Sequence, residues 1–309
     1  MTTEFPPPAA FVHAPEPTAA QAGPVGTPKS MLRLGIEVYV QNRLAVVGLV
    51  VLVLAALFCW VGPLIWHTNQ VSTDLGNVNL APGGAHPLGT DAVGYDELGR
   101  LMVGGQTSLF VGFAAALIAT VIGTIYGAVS GFFAGAVDTI LMRVVDALLS
   151  IPILFLLLYL VTVVPPSVGV LIFVLGLTAW LVPARLVRGE ALTLRVREYV
   201  QAVRVMGGSS WRSVARHIIP NVAGTVIVNA TFQVADAILL IAYLGYLGLG
   251  VQPPATDWGA MLSNGSQSMF TGSWWLIYPP GLLIVIVVVA VNFVGDGLRD
   301  AVEVRLQRR

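Results

Sequence analysis

Long uncharged stretches separated by short polar ones run through most of this chain. Residues 44–66 carry no charge, and about 20 apolar residues are enough for one helix to cross a bilayer core. Residues 31–43, just before them, are mixed and amphipathic and are expected to lie along the membrane surface. A polar loop rich in Gly, Asn and Asp follows at 67–99. Residues 101–137 are uncharged and glycine-rich, long enough for one tilted helix and a turn. Asp138, Arg143 and Asp146 flank the next apolar run, 147–164, and Pro165-Pro166 marks a tight turn. Further spans are expected at 168–182, ending before Arg185 and Arg188, at 222–250 and at 274–294. A basic segment, 299–309, closes the sequence. The pattern predicts an all-α polytopic membrane protein with six transmembrane helices, preceded by a disordered tail over 1–30.

One internal stretch, 195–221, breaks the apolar pattern. Val200, Val203 and Met206 recur at helical spacing around Arg204. Gly207-Gly208 should end that helix, because glycine takes backbone angles that other residues avoid. Ser209 or Ser210 can cap a second short helix, about 211–219, and Pro220 should end it or begin the next. This second helix is amphipathic and basic. It fits either an interfacial helix on a membrane surface or a docking element for a soluble partner.

Composition agrees with membrane insertion. The 309 residues are 56% hydrophobic and 10% charged, against about 25% charged in soluble domains. Cys59, the single cysteine, excludes a disulfide framework and reads as packing. Residues 1–30 hold seven prolines and few large apolar groups, too few to build a core. They lack the basic and apolar regions of a signal peptide, so the tail is expected to stay on the chain. The formal net charge of zero conceals an asymmetry. Of 16 Lys and Arg residues, all but Arg100 fall on the side shared by the two termini when six spans are counted. The positive-inside rule makes that side cytoplasmic, with loop 195–221, and makes 67–99 and 251–273 external. The only lysine is Lys29, so no P-loop lysine is present to reach nucleotide phosphates.

The residues of the polar stretch carry a resemblance. Gln201-Ala202-Val203-Arg204-Val205-Met206-Gly207, followed by Ile219-Pro220, resembles the EAA loop of ABC importer permeases, with the glycine and the terminal proline in register. Gln201 stands for the first Glu of that pattern, Val203 for the second Ala, and His217 where Ile is usual. Three further segments are similar to the dipeptide/oligopeptide (peptide/nickel) permeases: His86-Pro87-Leu88-Gly89-Thr90-Asp91, Gly248-Leu249-Gly250-Val251-Gln252-Pro253-Pro254, and Gly295-Asp296-Gly297-Leu298-Arg299-Asp300. The loop lacks the Ala-Lys-Gly-Leu run of B-type subunits, so the chain resembles the C-type subunit over about residues 30–305.

That resemblance implies the type I ABC importer permease fold. It implies a non-catalytic transport subunit in the cytoplasmic membrane of a prokaryote. Its expected partners are membrane lipid, a B-type permease, separate cytoplasmic ATPase subunits and an extracytoplasmic substrate-binding protein, with no nucleic acid and no cofactor. Gln201, Ala202, Gly207, Ser209, Trp211, Arg212, Arg216 and Pro220 are the candidate ATPase-coupling residues. Dipeptides, oligopeptides, nickel chelates and haem all stay open as substrates, with peptides preferred.

The fifth span departs from the family pattern. Ile241 stands where a glutamate is frequent and Gly245 where a serine is, while Asp236 lies five residues earlier within the apolar run. An ionisable group at that depth is costly, and marks either a pathway or a buried hydrogen bond to a neighbouring helix. Asp236 and Tyr243 are the candidate pathway residues. The alternative function is an ion- or proton-coupled secondary transporter using Asp236, against which stands the absence of an evident inverted repeat. An intramembrane enzyme would need a Ser/His or metal constellation in the spans, and none is evident. His86, Asp91, Asp96 and Glu97 match no metal-ligand spacing and read as a loop ordered by its own turns. Gly104, Gly105, Gly112, Gly123, Gly127 and Gly131 are expected to permit close helix packing.

Overall fold

The computed structural model describes residues 31–68, 72–164 and 167–307. The expected tail at 1–30 and the Pro165-Pro166 turn lie outside them. Among the described residues the chain is helical, with one isolated β-bridge between Thr90 and Asp96. Helix α1 (Met31–Gln41) packs along the last helix of the chain. Asn42 then accepts a hydrogen bond from the Ala45 N–H and caps α2 (Arg43–Trp60). A kink leads into the short α3 (Gly62–Ile65).

Helix α4 (Glu97–Phe133) is the central post. At ~1.5 Å per residue its 37 residues run roughly 55 Å, well beyond a bilayer core of about 30 Å. Its glycines face its neighbours. A Cβ on Gly112 would stand 2.6 Å from Ile238, and one on Gly131 would stand 2.6 Å from the Arg188 carbonyl oxygen. Each of these glycines is therefore the site of a helix crossing too close for any side chain.

The next apolar run is not one straight span. Helices α5 (Gly135–Leu149) and α6 (Ile153–Val163) meet at an 83° bend. Pro152 explains the break, since proline has no N–H for the helix ladder and its ring crowds the preceding turn. Helices α7 (Val168–Ala179) and α8 (Leu181–Leu194) join into one span over Val168–Leu194. The described residues thus hold five helices long and apolar enough to cross a membrane, and six spans when the bent pair is counted as one.

Two short helices, α9 (Glu198–Val205) and α10 (Ser210–Ser213), flank the Gly207 bend as expected. The chain beyond α10 does not break at Pro220. Helix α10 passes through a π-turn at Val214–Ile218 directly into α11 (Ile219–Tyr246), forming one continuous span over Ser210–Tyr246. Pro220 sits in the first turn of α11, directly after the π-turn, where the regular hydrogen-bond ladder is already interrupted. Helices α12 (Trp258–Gln267) and α13 (Tyr278–Gln307) complete the chain.

Packing is layered along α4. At the end of the bundle that holds the 67–99 loop, Cys59, Leu101, Ile238 and Trp258 form one buried cluster. Val111, Ala115, Leu171 and Ile241 fill the middle. Phe132, Val187, Val200, Val214 and Ile218 fill the opposite end, beneath α9 and α10.

Candidate functional site

Loop 195–221 is fastened to the bundle by its inward face. Val200, Val214 and Ile218 are buried against Phe132 and Val187. The Arg204 guanidinium lies 4.6 Å from the centre of the Phe132 ring, a cation–π contact. Trp211 meets Phe133 edge-on with ring centres 5.9 Å apart, and Tyr199 and His217 lie 6.1 Å apart. Helix α9 ends in a left-handed turn. Gly207 has φ +78°, a conformation that costs an L-residue roughly 1–2 kcal/mol. The Gly208 N–H then donates to the Val203 carbonyl at 2.8 Å. Ser209, one of the two expected caps, accepts from the Arg212 N–H at 3.3 Å.

The outward face of the loop is open. Gln201, Ala202, Gly207, Ser209, Trp211, Arg212, Arg216 and Pro220 are all exposed or half-buried. Val205, Met206 and Trp211 are 88%, 77% and 62% exposed. Arg212 and Arg216 form no ion pair among the described residues. Apolar groups and free guanidinium forks side by side make a surface suited to an acidic groove with an apolar floor.

Sequence reading singled out neither Phe132 nor Phe133, because their partners lie about 70–80 residues further along the chain. It also missed a polar lock behind the loop. Arg188 on α8 grips Asp138 on α5 through two hydrogen bonds of 2.6 Å, and Ser130 on α4 donates to the same carboxylate at 2.6 Å. Arg185 pairs with Asp146 beside it. The only hint in the sequence was acidic and basic residues at adjacent span ends.

On α11, Asp236 and Tyr243 are exposed on the surface of the bundle. Seven residues apart, they share one helix face. Asp236 has no hydrogen-bond or ion-pair partner among the described residues, so the buried hydrogen bond to a neighbouring helix does not form there.

The loop at the opposite end of the bundle is ordered by its own bonds. Asp96 caps α4 by accepting from the Gly99 N–H at 2.8 Å, and it also holds His86 at 2.8 Å and the Trp66 indole at 3.1 Å. The expectation of a loop ordered by its own turns holds for this segment. Asp257 caps α12, accepting from Ala260 at 2.9 Å, and Gly245 leaves room for its carboxylate. Burial pushes the Asp257 carboxyl above the ordinary aspartate range, while the N–H groups of Ala260, Val251 and Gly259 pull it back.

Two family models match this chain. One, a binding-protein-dependent transport system inner membrane component, matches residues 119–308. The other, the N-terminal transmembrane domain of oligopeptide transport permease C, matches residues 30–82. The chain belongs to this permease family. It is 43% identical over 267 residues to the oligopeptide transport system permease protein OppC of Escherichia coli K12, covering 86% of this chain and 88% of that protein. It is 38% identical over 297 residues to the OppC protein of Bacillus subtilis 168, covering 95% and 97%. The dipeptide transport system permease protein DppC of Bacillus subtilis is 37% identical over 268 residues, covering 87% and 84%. Membership as a C-type subunit and the type I permease fold agree with the helical bundle around α4, and make this chain a transport subunit rather than an enzyme.

Proposed function

We propose that the chain is the C-type permease subunit of an importer of di- or oligopeptides, driven by ATP hydrolysed in separate subunits that dock on loop 195–221. The observation that carries this reading is the 37-residue span Ser210–Tyr246, in which α10 runs through the π-turn into α11. One rod, roughly 55 Å long, bears Trp211, Arg212 and Arg216 at one end and Asp236 and Tyr243 further along. A push on the loop is therefore transmitted to the pathway face along one unbroken run of helix. Loop 195–221 and both termini are cytoplasmic on the charge bias, and 67–99 is external. The exposed face of α11 lines the pathway against a B-type permease, since an unpaired carboxylate facing lipid would be costly. An extracytoplasmic binding protein delivers the substrate. Peptides are the inferred cargo because oligopeptide and dipeptide permeases are the relatives. Nothing in the structure favours Asp236 as an ion-coupling group over a pathway group.

The test is a pull-down and transport assay on the reconstituted complex. Trp211→Ala with Arg212→Ala should leave the permease in the membrane and abolish ATPase co-purification or uncouple hydrolysis from uptake. Wild-type docking and uptake in that variant would remove the loop as the coupling element. For orientation, Val205→Cys and Leu75→Cys are each placed in a Cys59→Ala background. Impermeant thiol reagent applied outside cells should label the second only, and labelling of the first would reverse the topology.

A further inference from the structure

A cavity of about 390 Å³ opens at the 67–99 end, between the first turn of α4, α12 and Leu276. Two charged side chains on its wall are almost fully buried, Glu97 at 3% exposure and Arg100 at 5%. They stand three apart in the first helical turn, a spacing at which opposite charges ordinarily pair. They do not pair here. Glu97 Oε1 is buried without any hydrogen-bond partner among the described residues. Arg100 turns its guanidinium over the Tyr95 ring, 4.5 Å from its centre, and its one hydrogen bond is a long 3.5 Å contact to the Pro254 carbonyl. Burying an ionisable group without an ion-pair partner is among the costlier arrangements a fold can hold, and this cavity holds one acidic and one basic side chain in that state.

We propose that this cavity binds a zwitterion of dipeptide size, its ammonium on Glu97 and its carboxylate on Arg100. Residues three apart on a helix have Cβ atoms roughly 5–6 Å apart, and two extended residues span about 7 Å, so one short peptide reaches both charges. The cavity volume lies within the ~300–1,000 Å³ of small-ligand pockets. Asp91, on the same wall, adds a second negative charge beside the ammonium; its Oδ1 already accepts from the Val93 and Tyr95 N–H groups at 3.0 and 2.8 Å. Asn264 and Gln267, also on the wall, can meet the peptide group between the two ends. A smaller cavity of about 130 Å³ shares Arg100, Pro253 and Asn264 and reaches Gly245 and Gly248 at the end of α11. The site therefore adjoins the helix that carries Asp236 and Tyr243. It is a waiting position for the cargo, and it rests on the peptide-import reading only for its choice of ligand.

The assembled complex in lipid nanodiscs, without binding protein, is dialysed against radiolabelled Ala-Ala. N-acetyl-Ala-Ala, which lacks the ammonium, and Ala-Ala-amide, which lacks the carboxylate, serve as competitors. Each should compete at least about tenfold more weakly than unlabelled Ala-Ala, the loss of one charged hydrogen-bonded contact. Glu97→Gln should remove the discrimination against the acetylated peptide only, and Arg100→Gln the discrimination against the amide only. Equal competition by all three on the wild-type complex, or no retention of Ala-Ala, overturns the proposal without reliance on any variant. Discrimination that survives both substitutions overturns it as well. ATP-driven peptide uptake, measured in parallel with the binding protein present, separates the two readings. Uptake with no discrimination in dialysis sinks the cavity alone, whereas discrimination without ATP-driven uptake sinks the import reading and leaves the cavity standing.

Discussion

The tryptophans at the two ends of the bundle are used in opposite ways. At the end that holds the 67–99 loop, the indole N–H groups of Trp66, Trp258 and Trp275 all donate inward, to Asp96, to the Leu101 carbonyl and to the Thr90 carbonyl. At the end that holds loop 195–221, Trp211 is 62% exposed and meets Phe133 with the two rings steeply inclined. The charges follow the same division. Asp91, Asp96 and Asp257 are buried and bonded to backbone or side-chain donors, while Arg212 and Arg216 project outward unpaired among the described residues. The 67–99 end is a lid whose buried polar groups are bonded among themselves, with Glu97 and Arg100 as the exceptions. The 195–221 end leaves apolar and basic side chains exposed side by side, the arrangement that the proposed docking needs.

The sharpest way to break this comparison is to remove the outward anchors. Trp211→Ala with Arg212→Ala should weaken ATPase docking by about 4 kcal/mol if each anchor contributes about 2 kcal/mol. The thermal unfolding of the isolated permease should not change, because neither side chain belongs to the buried cluster of Phe132, Val200 and Ile218. Calorimetric titration with the ATPase, beside a melting curve, separates the two effects. A large drop in melting temperature would show that Trp211 is structural and that the two ends do not differ in this way.

The reverse experiment addresses the 67–99 end. Asp96→Ala removes a helix cap together with the bonds to His86 and Trp66. A cap contributes about 1 kcal/mol and each further bond to a carboxylate a similar amount or more, for a stability loss of about 3 kcal/mol. ATPase affinity should be unchanged, since the site lies at the far end of α4. Lost docking with an unchanged melting curve would contradict the self-contained lid.

Much of this division could be read from residue order, and some of it could not. Span positions followed from uncharged length, and the close crossings at Gly112 and Gly131 from small residues on one long helix. The Gly207 bend and the Ser209 cap followed from local backbone chemistry. The 83° break between α5 and α6 falls at Pro152, a local signal that the reading by hydropathy alone passed over, since hydropathy carries no information on direction. The fusion of α10 with α11 was hidden by Pro220, which can begin a helix as readily as it ends one. Phe132, Phe133 and the Asp138–Arg188 pair act through partners far along the chain, which no local pattern reports. Glu97 and Arg100 were visible as neighbours at pairing distance. That they decline to pair depends on Tyr95 and the Pro254 carbonyl, a tertiary fact.

An intermediate effect is expected from the lock behind the loop. Arg188→Ala strips Asp138 of two charged hydrogen bonds and leaves only Ser130 on that carboxylate. A loss of about 2 kcal/mol in stability is expected, at the upper part of the range for such bonds but reduced by partial solvent access. Docking should weaken only in proportion, because α8 is one of the supports on which the loop is seated. Proteolysis within 195–221 is a direct readout, and faster cleavage in the variant is the expected result. Unchanged cleavage would detach the lock from the loop.

The smallest expected effect falls on Gly207, and it tests whether the bend itself matters. The residue sits at φ +78° with nothing within 4 Å of where a Cβ would stand, so a substitution there meets backbone strain and no clash. Gly207→Ala should cost about 1 kcal/mol and Gly207→Val more, since a branched side chain tolerates left-handed angles least. The chain can relieve this strain by straightening the turn, which would swing α9 away from α10 and separate Gln201 from Trp211. Uptake per ATP hydrolysed should therefore fall in the order glycine, alanine, valine, while the amount of permease in the membrane stays level, because each span satisfies its own backbone in lipid. Equal coupling in all three would mean that the left-handed turn is incidental and that docking tolerates any angle between the two helices. A graded loss would place the geometry of one glycine between the outward anchors and the rod they move.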